Sequence, residues 1–253
     1  MTMSSSDCVF ITGATAGIGE ACARAFATVG ARLVLVGRRR DRLEMLRAAF
    51  TVPVHTLELD VRDSHAVRSA VAGLPAAFKD VTLLLNNAGL AMGLGKAQDA
   101  AAEDWNTMVD TNIKGVLHVT HALMPGMVER GRGHIINLGS VAGTYPYPGG
   151  NVYGATKAFL HQFSLNLRAD LLGSPVRVTC IEPGMVESEF SVVRFGGDKA
   201  KADALYQGMQ PLTPADIAET VVWCASRPAH VNINIVEMMP VSQAFQAFAV
   251  NRK

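Results

Sequence analysis

The sequence predicts an α/β fold: one doubly wound sheet of parallel strands with helices on both faces. Three observations predict it. Short apolar runs alternate with amphipathic helical stretches along all 253 residues. The runs are apolar on both sides, as strands buried between two helical layers must be. No polar or Pro/Gly-rich linker and no internal repeat divides the chain, so residues 1–253 are expected to form a single domain, long enough for a large core.

The elements follow in order. An apolar run over 8–12 breaks directly into Gly13, Gly17 and Gly19, and a helix is expected over 18–29, closed by Gly30. A nearly continuous apolar strand spans 31–36, followed by a Leu- and Arg-rich helix over 41–50. A third strand, 54–59, ends on Asp60; helix is expected over 64–78 and a fourth strand over 81–85. A long helical stretch covers 102–129, disturbed near Gly115 and Pro125. Strand 134–138, helix 153–171, strand 176–181, helix 215–224 and the apolar run 233–238 complete the series. The tail over 240–253 carries Phe245, Phe248 and Val250, too apolar for a free end, and is expected to pack, on a neighbouring subunit if not on its own. Trp105, Trp223 and the methionines are expected in the core.

Composition excludes several classes of function. The net charge is +1 and 18% of residues are charged, so no global basic field invites nucleic acid or an anionic membrane. Cys8, Cys22, Cys180 and Cys224 lie far apart with no metal-ligand spacing, and read as small buried hydrophobes. No metal is expected. The N-terminal stretch is short and polar, without a leader pattern, and no run reaches the roughly 18 apolar residues of a membrane span. A cytoplasmic location is the expectation.

The first strand runs into Thr12-Gly13-Ala14-Thr15-Ala16-Gly17-Ile18-Gly19, with a helix starting inside the motif. Glycines let the backbone turn sharply and approach a phosphate, while the helix N-terminus offers free N–H groups and a positive dipole end. This is the context a dinucleotide pyrophosphate needs, although the spacing is GxxxGxG. The end of the second strand then selects between the two nicotinamide cofactors. A carboxylate there would suit the ribose hydroxyls of NAD. This chain has Gly37-Arg38-Arg39-Arg40 instead. A guanidinium binds a 2′-phosphate through paired charge-assisted hydrogen bonds of roughly 1.5–3 kcal/mol each. Two would favour NADP by about two to four orders of magnitude. Arg38 is the first candidate and Arg39 the second, with Arg40 at the surface. Asp60 is placed to accept from an adenine amino group, or else to cap the following helix.

Tyr153 and Lys157 are four residues apart at the start of a helix and share a face. A tyrosine ionises near pH 10. An ammonium about 5 Å away, at an effective dielectric near 20, favours the phenolate by about 3 kcal/mol, roughly two pKa units. Tyr153 can then act as general base for an alcohol and general acid for a carbonyl. Ser140 closes the fifth strand, where its hydroxyl can bond the substrate oxygen. Asn112 lies in the long helix near Gly115, at a plausible helix defect, where its side chain could relay protons from Lys157 to water. Asn86-Asn87-Ala88-Gly89 ends the fourth strand, where the backbone passes close to a cofactor.

The TGxxxGIG loop, NNAG, Asn112, Ser140, YxxxK and Pro183-Gly184 together resemble the single-domain short-chain dehydrogenases/reductases, in order and over nearly the whole chain. The resemblance implies a Rossmann-like sheet of about seven parallel strands and a tetrad of Asn112, Ser140, Tyr153 and Lys157. It also implies that Lys157 binds the nicotinamide ribose and that Pro183-Gly184 flanks the ring, with Ser188 where many members have threonine. The implied cofactor-binding set is Gly13, Thr15, Gly17, Ile18, Gly19, Arg38, Arg39, Asp60, Val61, Asn87, Ala88, Gly89, Tyr153, Lys157, Pro183, Gly184, Val186 and Ser188.

Within that family, Arg194-Phe195, the stretch 149–159 and Pro228-Ala229-His230-Val231-Asn232-Ile233-Asn234 are similar to the NADP-dependent 3-hydroxy acid dehydrogenases. That branch implies substrates such as serine, L-allo-threonine and 3-hydroxypropionate, malonic semialdehyde reduction, and a homotetramer. The substrate set would be Ser140, Tyr153 and Arg194. Residues 187–208 are mixed and glycine-interrupted, as a mobile lid would be. Arg194 would clasp the substrate carboxylate through a bidentate pair, or else pair with a neighbouring acid. Glu187 or Glu189 would meet a substrate ammonium, or be solvated. The histidines show no ligand spacing and read as structural or surface residues.

Two other readings fit the same scaffold less closely: an NADPH-dependent 3-oxoacyl or general carbonyl reductase, and a non-catalytic NADP-sensing protein, which should have lost part of the tetrad. Replacing Arg38 by Ala is expected to weaken NADP binding far more than NAD binding in a fluorescence titration. Equal losses would remove the arginine from the phosphate site.

Overall fold

The computed structural model describes residues 3–245. Seven strands form one sheet: β1 (Cys8–Thr12), β2 (Arg32–Gly37), β3 (Val54–Glu58), β4 (Leu83–Asn86), β5 (Gly133–Leu138), β6 (Val176–Pro183) and β7 (Ile235–Met238). All pairs are parallel, in the order β3-β2-β1-β4-β5-β6-β7. The chain winds outward from β1 in one direction, then returns to start again at β4, leaving a crevice between the C-terminal ends of β1 and β4.

Two cores explain why the strands read as unbroken apolar runs. Alternate residues of β1 enter opposite faces: Val9 and Ile11 join the core under α1 (Gly17–Thr28), α2 (Arg40–Ala49) and the last long helix, Pro214–Ala225. Cys8 and Phe10 join the core on the other face, with Val119, Leu123, Met127 and Leu167. All four cysteines are buried and free.

Several boundaries differ from expectation for local reasons. The helix expected over 64–78 is α3 (Ser64–Ala72), ending at Gly73 before Pro75, with a separate short 3₁₀ turn at Ala76–Phe78. Its N-terminus is capped by Asp63, whose carboxylate accepts from the His65 and Ala66 amides, so Asp60 is not the cap. The long stretch 102–129 divides into α4 (Ala102–Val109), one wide π turn (Asp110–Lys114) and α5 (Gly115–Glu129), which carries Pro125. The helix after β5 is α6 (Asn151–Asp170). The segment 187–208 contains two short helices, α7 (Glu189–Arg194) and α8 (Lys199–Ala204), and Pro214–Ala225 is then α9.

Trp223 departs from its expected place in the core. α9 turns Ile217, Ala218, Val221 and Cys224 inward, which leaves the indole on the outer face, 47% exposed under the Arg227 guanidinium. Met45 is likewise exposed on α2, while Trp105 is half-buried. In the tail, the Gln243 side chain accepts from the Met185 amide at 2.8 Å, and the exposed Phe245 ring meets that of Tyr145 at 4.4 Å. Phe248 and Val250 lie outside the described residues. Among the described residues no helix is long and apolar enough to cross a membrane.

Gly19 shows how tightly α1 is set against the loop before it. A Cβ there would run into the Gly13 carbonyl oxygen and the Asn87 amide. Replacing Gly19 by Ala is expected to cost about 1–3 kcal/mol of stability through overpacking. In a denaturant titration the midpoint should fall with no change in slope.

Candidate active site

The crevice between β1 and β4 is held by one small group of hydrogen bonds. Thr12 Oγ1 donates to the Leu85 carbonyl and accepts from the Asn87 and Ala88 amides, both at 3.0 Å. Asn87 Nδ2 donates to the carbonyls of Thr12 (2.9 Å) and Gly13 (3.1 Å). Gly13 and Gly17 have φ of +65° and +50°, a region that favours glycine. The first turn of α1 has no side-chain cap at Ala16, so its amides face the loop unclaimed by any side chain.

A cavity of about 770 Å³ extends from this loop to α7. It is lined by all of the expected cofactor-binding residues except Gly19, and by Ser140, Tyr153, Lys157 and Arg194. Gly19 lies behind the wall and Asn112 is 1% exposed, outside the lining.

At the β2 end the three arginines separate. Arg39 wraps Thr15, donating from Nε (3.1 Å) and Nη2 (3.0 Å) to its hydroxyl, and from Nη1 to Glu189 Oε2 at 2.8 Å. Arg42, absent from the sequence-based set, holds the other oxygen of Glu189 at 3.0 Å. Its position three residues beyond Arg39 on α2 is the signal that could have found it. Arg38 is exposed and lines the cavity; among the described residues it donates no side-chain hydrogen bond. Arg40 is exposed as well. Glu189 is therefore not a partner for a substrate ammonium. Burial would raise its carboxyl, but the Arg39 and Arg42 hydrogen bonds outweigh burial and hold it below the usual carboxylate range. Glu187 is exposed and outside the cavity lining. The Asp60 carboxylate is gripped by the Arg62 fork, down to 2.6 Å, and is lowered by that hydrogen bond.

The residues of the expected tetrad come together, with one change of role. Ser140 follows β5; its hydroxyl donates to the Pro183 carbonyl at 3.3 Å and accepts from the Ala142 amide. Tyr153 and Lys157 lie on α6, with the ammonium 5.8 Å from the phenol ring centroid and donating to the Leu138 carbonyl at 2.6 Å. Asn112 sits in the π turn. Its Oδ1 accepts from the Leu90 amide (2.9 Å), and its Nδ2 donates to the Leu90 carbonyl (2.8 Å) and to Thr156 Oγ1 (3.0 Å). Both amide hydrogens are committed, and neither reaches Lys157. The side chain clamps α6 to the loop after β4, which corrects the expectation that it relays protons.

Electrostatics correct a second expectation. Burial pushes Tyr153 up to about 12, despite the opposing influence of Arg194 and the Ser140 hydroxyl. Burial also brings Lys157 down to about 8, against the opposing pull of Cys180 and Glu182. The cation that lowers the phenol is Arg194, where the Lys157 ammonium was expected to do so.

Arg194 is the cation that faces Tyr153. Its guanidinium carbon stands 4.9 Å from the Tyr153 ring centroid, 5.6 Å from that of Phe190 and 5.9 Å from that of Tyr147. Nη2 donates to the Tyr147 hydroxyl at 2.7 Å, whereas Nε is buried with no hydrogen-bond partner among the described residues. Arg194 lines the cavity beside the tetrad, so its guanidinium is a cation that an anion entering there would meet. Tyr147 and Phe190 were missed from sequence because nothing local marks them; the fold brings the loop after β5 against α7.

The family model for short chain dehydrogenases matches residues 7–195, and the chain belongs to that family. An NADP-dependent 3-hydroxy acid dehydrogenase from Salmonella typhi is 57% identical over 245 residues, 96% of this chain and 99% of that protein. A sulfoacetaldehyde reductase from Chromohalobacter salexigens is 55% identical over 249 residues, 97% of this chain and 98% of the other. Among solved structures, the closed form of serine dehydrogenase complexed with NADP⁺ superposes with a TM-score of 0.96 at 53% identity, covering 97% of this chain and 100% of that one.

Proposed function

We propose that this chain is an NADP-dependent oxidoreductase that interconverts small 3-hydroxy acids, of the serine, L-allo-threonine and 3-hydroxypropionate type, and their 3-oxo acids. The observation that carries the reading is Arg194, which lines the cavity with its guanidinium over the Tyr153 ring. An acid bound there would be held with its carbinol at the phenol.

The residues fit the cofactor. Glycines that leave no room for a Cβ, an α1 N-terminus without a side-chain cap and the free Arg38 match a pyrophosphate and a 2′-phosphate. Thr15, Gly17, Ile18, Arg39, Val61, Ala88, Gly89, Gly184, Val186 and Ser188 line the remaining wall. Bound there, NADP would exchange a hydride with the substrate carbon at its nicotinamide.

The protein's own part is proton transfer and orientation. Tyr153 Oη takes the hydroxyl proton in oxidation and returns it in reduction. Ser140 Oγ bonds the substrate oxygen as charge develops on it. Arg194 offsets the cost of a buried phenolate, and the Lys157 ammonium, fixed by the Leu138 carbonyl, would add to it once the phenolate forms. α7 and α8 cover the site as a lid over 187–208 and exclude water. In this reading the molecule works in the cytoplasm, which suits four unbridged cysteines. It assembles as a homotetramer, for which exposed Leu117 and Val128 on α5 and Trp223 on α9 offer apolar surface.

A second reading follows from the sulfoacetaldehyde reductase relative: a sulfonate is an anion that Arg194 could hold in the same way. Turnover assays with NADP across L-serine, L-allo-threonine, 3-hydroxypropionate, 3-hydroxybutyrate, isethionate and simple alcohols separate the readings. The carboxylates are expected to lead; activity confined to isethionate would favour the second, and activity on neutral alcohols or carbonyls alone would move the assignment to a general carbonyl reductase.

Two substitutions test the roles. Tyr153→Phe is expected to lower kcat by about 10²–10⁴-fold while NADP affinity stays within a factor of about two. Comparable turnover would end the proton-transfer assignment. Arg194→Ala is expected to reduce the ratio of kcat/KM for 3-hydroxypropionate to that for a neutral alcohol about tenfold or more. An unchanged ratio would place the acid group elsewhere.

A further inference from the structure

Behind Lys157 lies a buried acid that the reaction scheme above does not use. Glu182, near the end of β6, is 2% exposed. A buried carboxylate requires compensation by a counter-charge or by donors. One donor is His161, whose Nδ1 meets Glu182 Oε1 at 2.8 Å. His161 follows Lys157 by four residues on α6, so the two share a helix face. The Cys180 thiol donates to the same oxygen at 3.4 Å.

The geometry brings this acid to the strand end that holds the lysine. Glu182 Cγ packs so closely on Gly139 that a Cβ there would come within 2.9 Å of it. Gly139 adjoins Leu138, whose carbonyl receives the Lys157 ammonium at 2.6 Å. The acid and the ammonium therefore rest on neighbouring residues at the end of β5. The committed Asn112 amide leaves Lys157 without a side-chain partner from the π turn.

We propose that Glu182, oriented by His161, is a positioning residue for Lys157, its carboxylate serving as the buried counter-charge beside the lysine ammonium. The inference rests on the Tyr153–Lys157 reading and deepens it. The groups that face Glu182 are Lys157 and His161 on α6, Cys180 on β6, Tyr145 from the loop after β5, and Glu237, its register partner on β7. Of these, Lys157 is the buried cation, and Cys180 and then Glu182 act on it to favour its protonated form. His161 reaches solvent with 31% of its side chain exposed, so the pair also connects the lysine's surroundings to the outside of α6.

Removing a negative charge destabilises the ammonium, so Lys157 should lose its proton at lower pH. In protein carrying ¹³Cε-lysine without cofactor, the Lys157 resonance, assigned through Lys157→Arg, is titrated in wild type and in Glu182→Gln. The midpoint is expected near 8 in wild type and lower by about one unit or more in the variant. The alkaline limb of kcat for carbonyl reduction should move to lower pH by the same amount, and His161→Gln should give a smaller shift of the same sign. If Glu182→Gln does not fold, Glu182→Asp, which withdraws the charge without deleting it, must show the same direction. Coincident midpoints in wild type and variant would overturn the proposal. Turnover by Tyr153→Phe would instead strike the Tyr153–Lys157 reading and leave this titration standing.

Discussion

The hydrogen bonds that join Thr12 and Asn87 are the constraint on which the rest of the site depends. Two parallel strands that diverge at their C-terminal ends leave backbone groups facing a gap, and those groups need partners. Here one hydroxyl and one carboxamide satisfy five of them, from the Leu85, Thr12 and Gly13 carbonyls to the Asn87 and Ala88 amides. The glycine loop is thereby fixed in the conformation that presents the α1 N-terminus, and the end of β4 is fixed as the opposite wall. Every other functional group is placed relative to these two edges.

Much of this was legible in the chain because it depends on local patterns. The apolar runs of the five inner strands report burial on both faces, whereas β3 and β7, at the sheet edges, are mostly half-buried. Glycines report close backbone approach, and Tyr153 and Lys157 report a shared helix face. What was not legible depends on long-range packing. Nothing near Asn112 in sequence indicates that its amide will be taken by Leu90 and Thr156. Nothing near Glu189 indicates that α7 will meet α2. Trp223 lies outside the core because α9 turns its other side, with Ile217, Val221 and Cys224, inward, and residue type alone does not report which side that is.

The pKa of Tyr153 depends on more than its distance from Lys157. Burial that excludes water raises the phenol, and it also gives the remaining charge above it, Arg194, more influence than it would have in water. Arg194 thus both lines the cavity and acts on the Tyr153 phenol. A site built in this way is most strongly polarised only when its acid substrate and cofactor are both inside.

The Glu189 carboxylate, shared by Arg39 and Arg42, gives the fold a mechanical link between its two ends. α7 carries Arg194 at one terminus and is fastened by Glu189 at the other, so the substrate end of the cavity is tethered to the joint between β2 and α2. The three side chains of this link are between 36% and 39% exposed, enough for dissolved ions to screen them. Ionic strength can therefore loosen the placement of Arg194 from the far end of the molecule, without any ion entering the cavity that this residue lines.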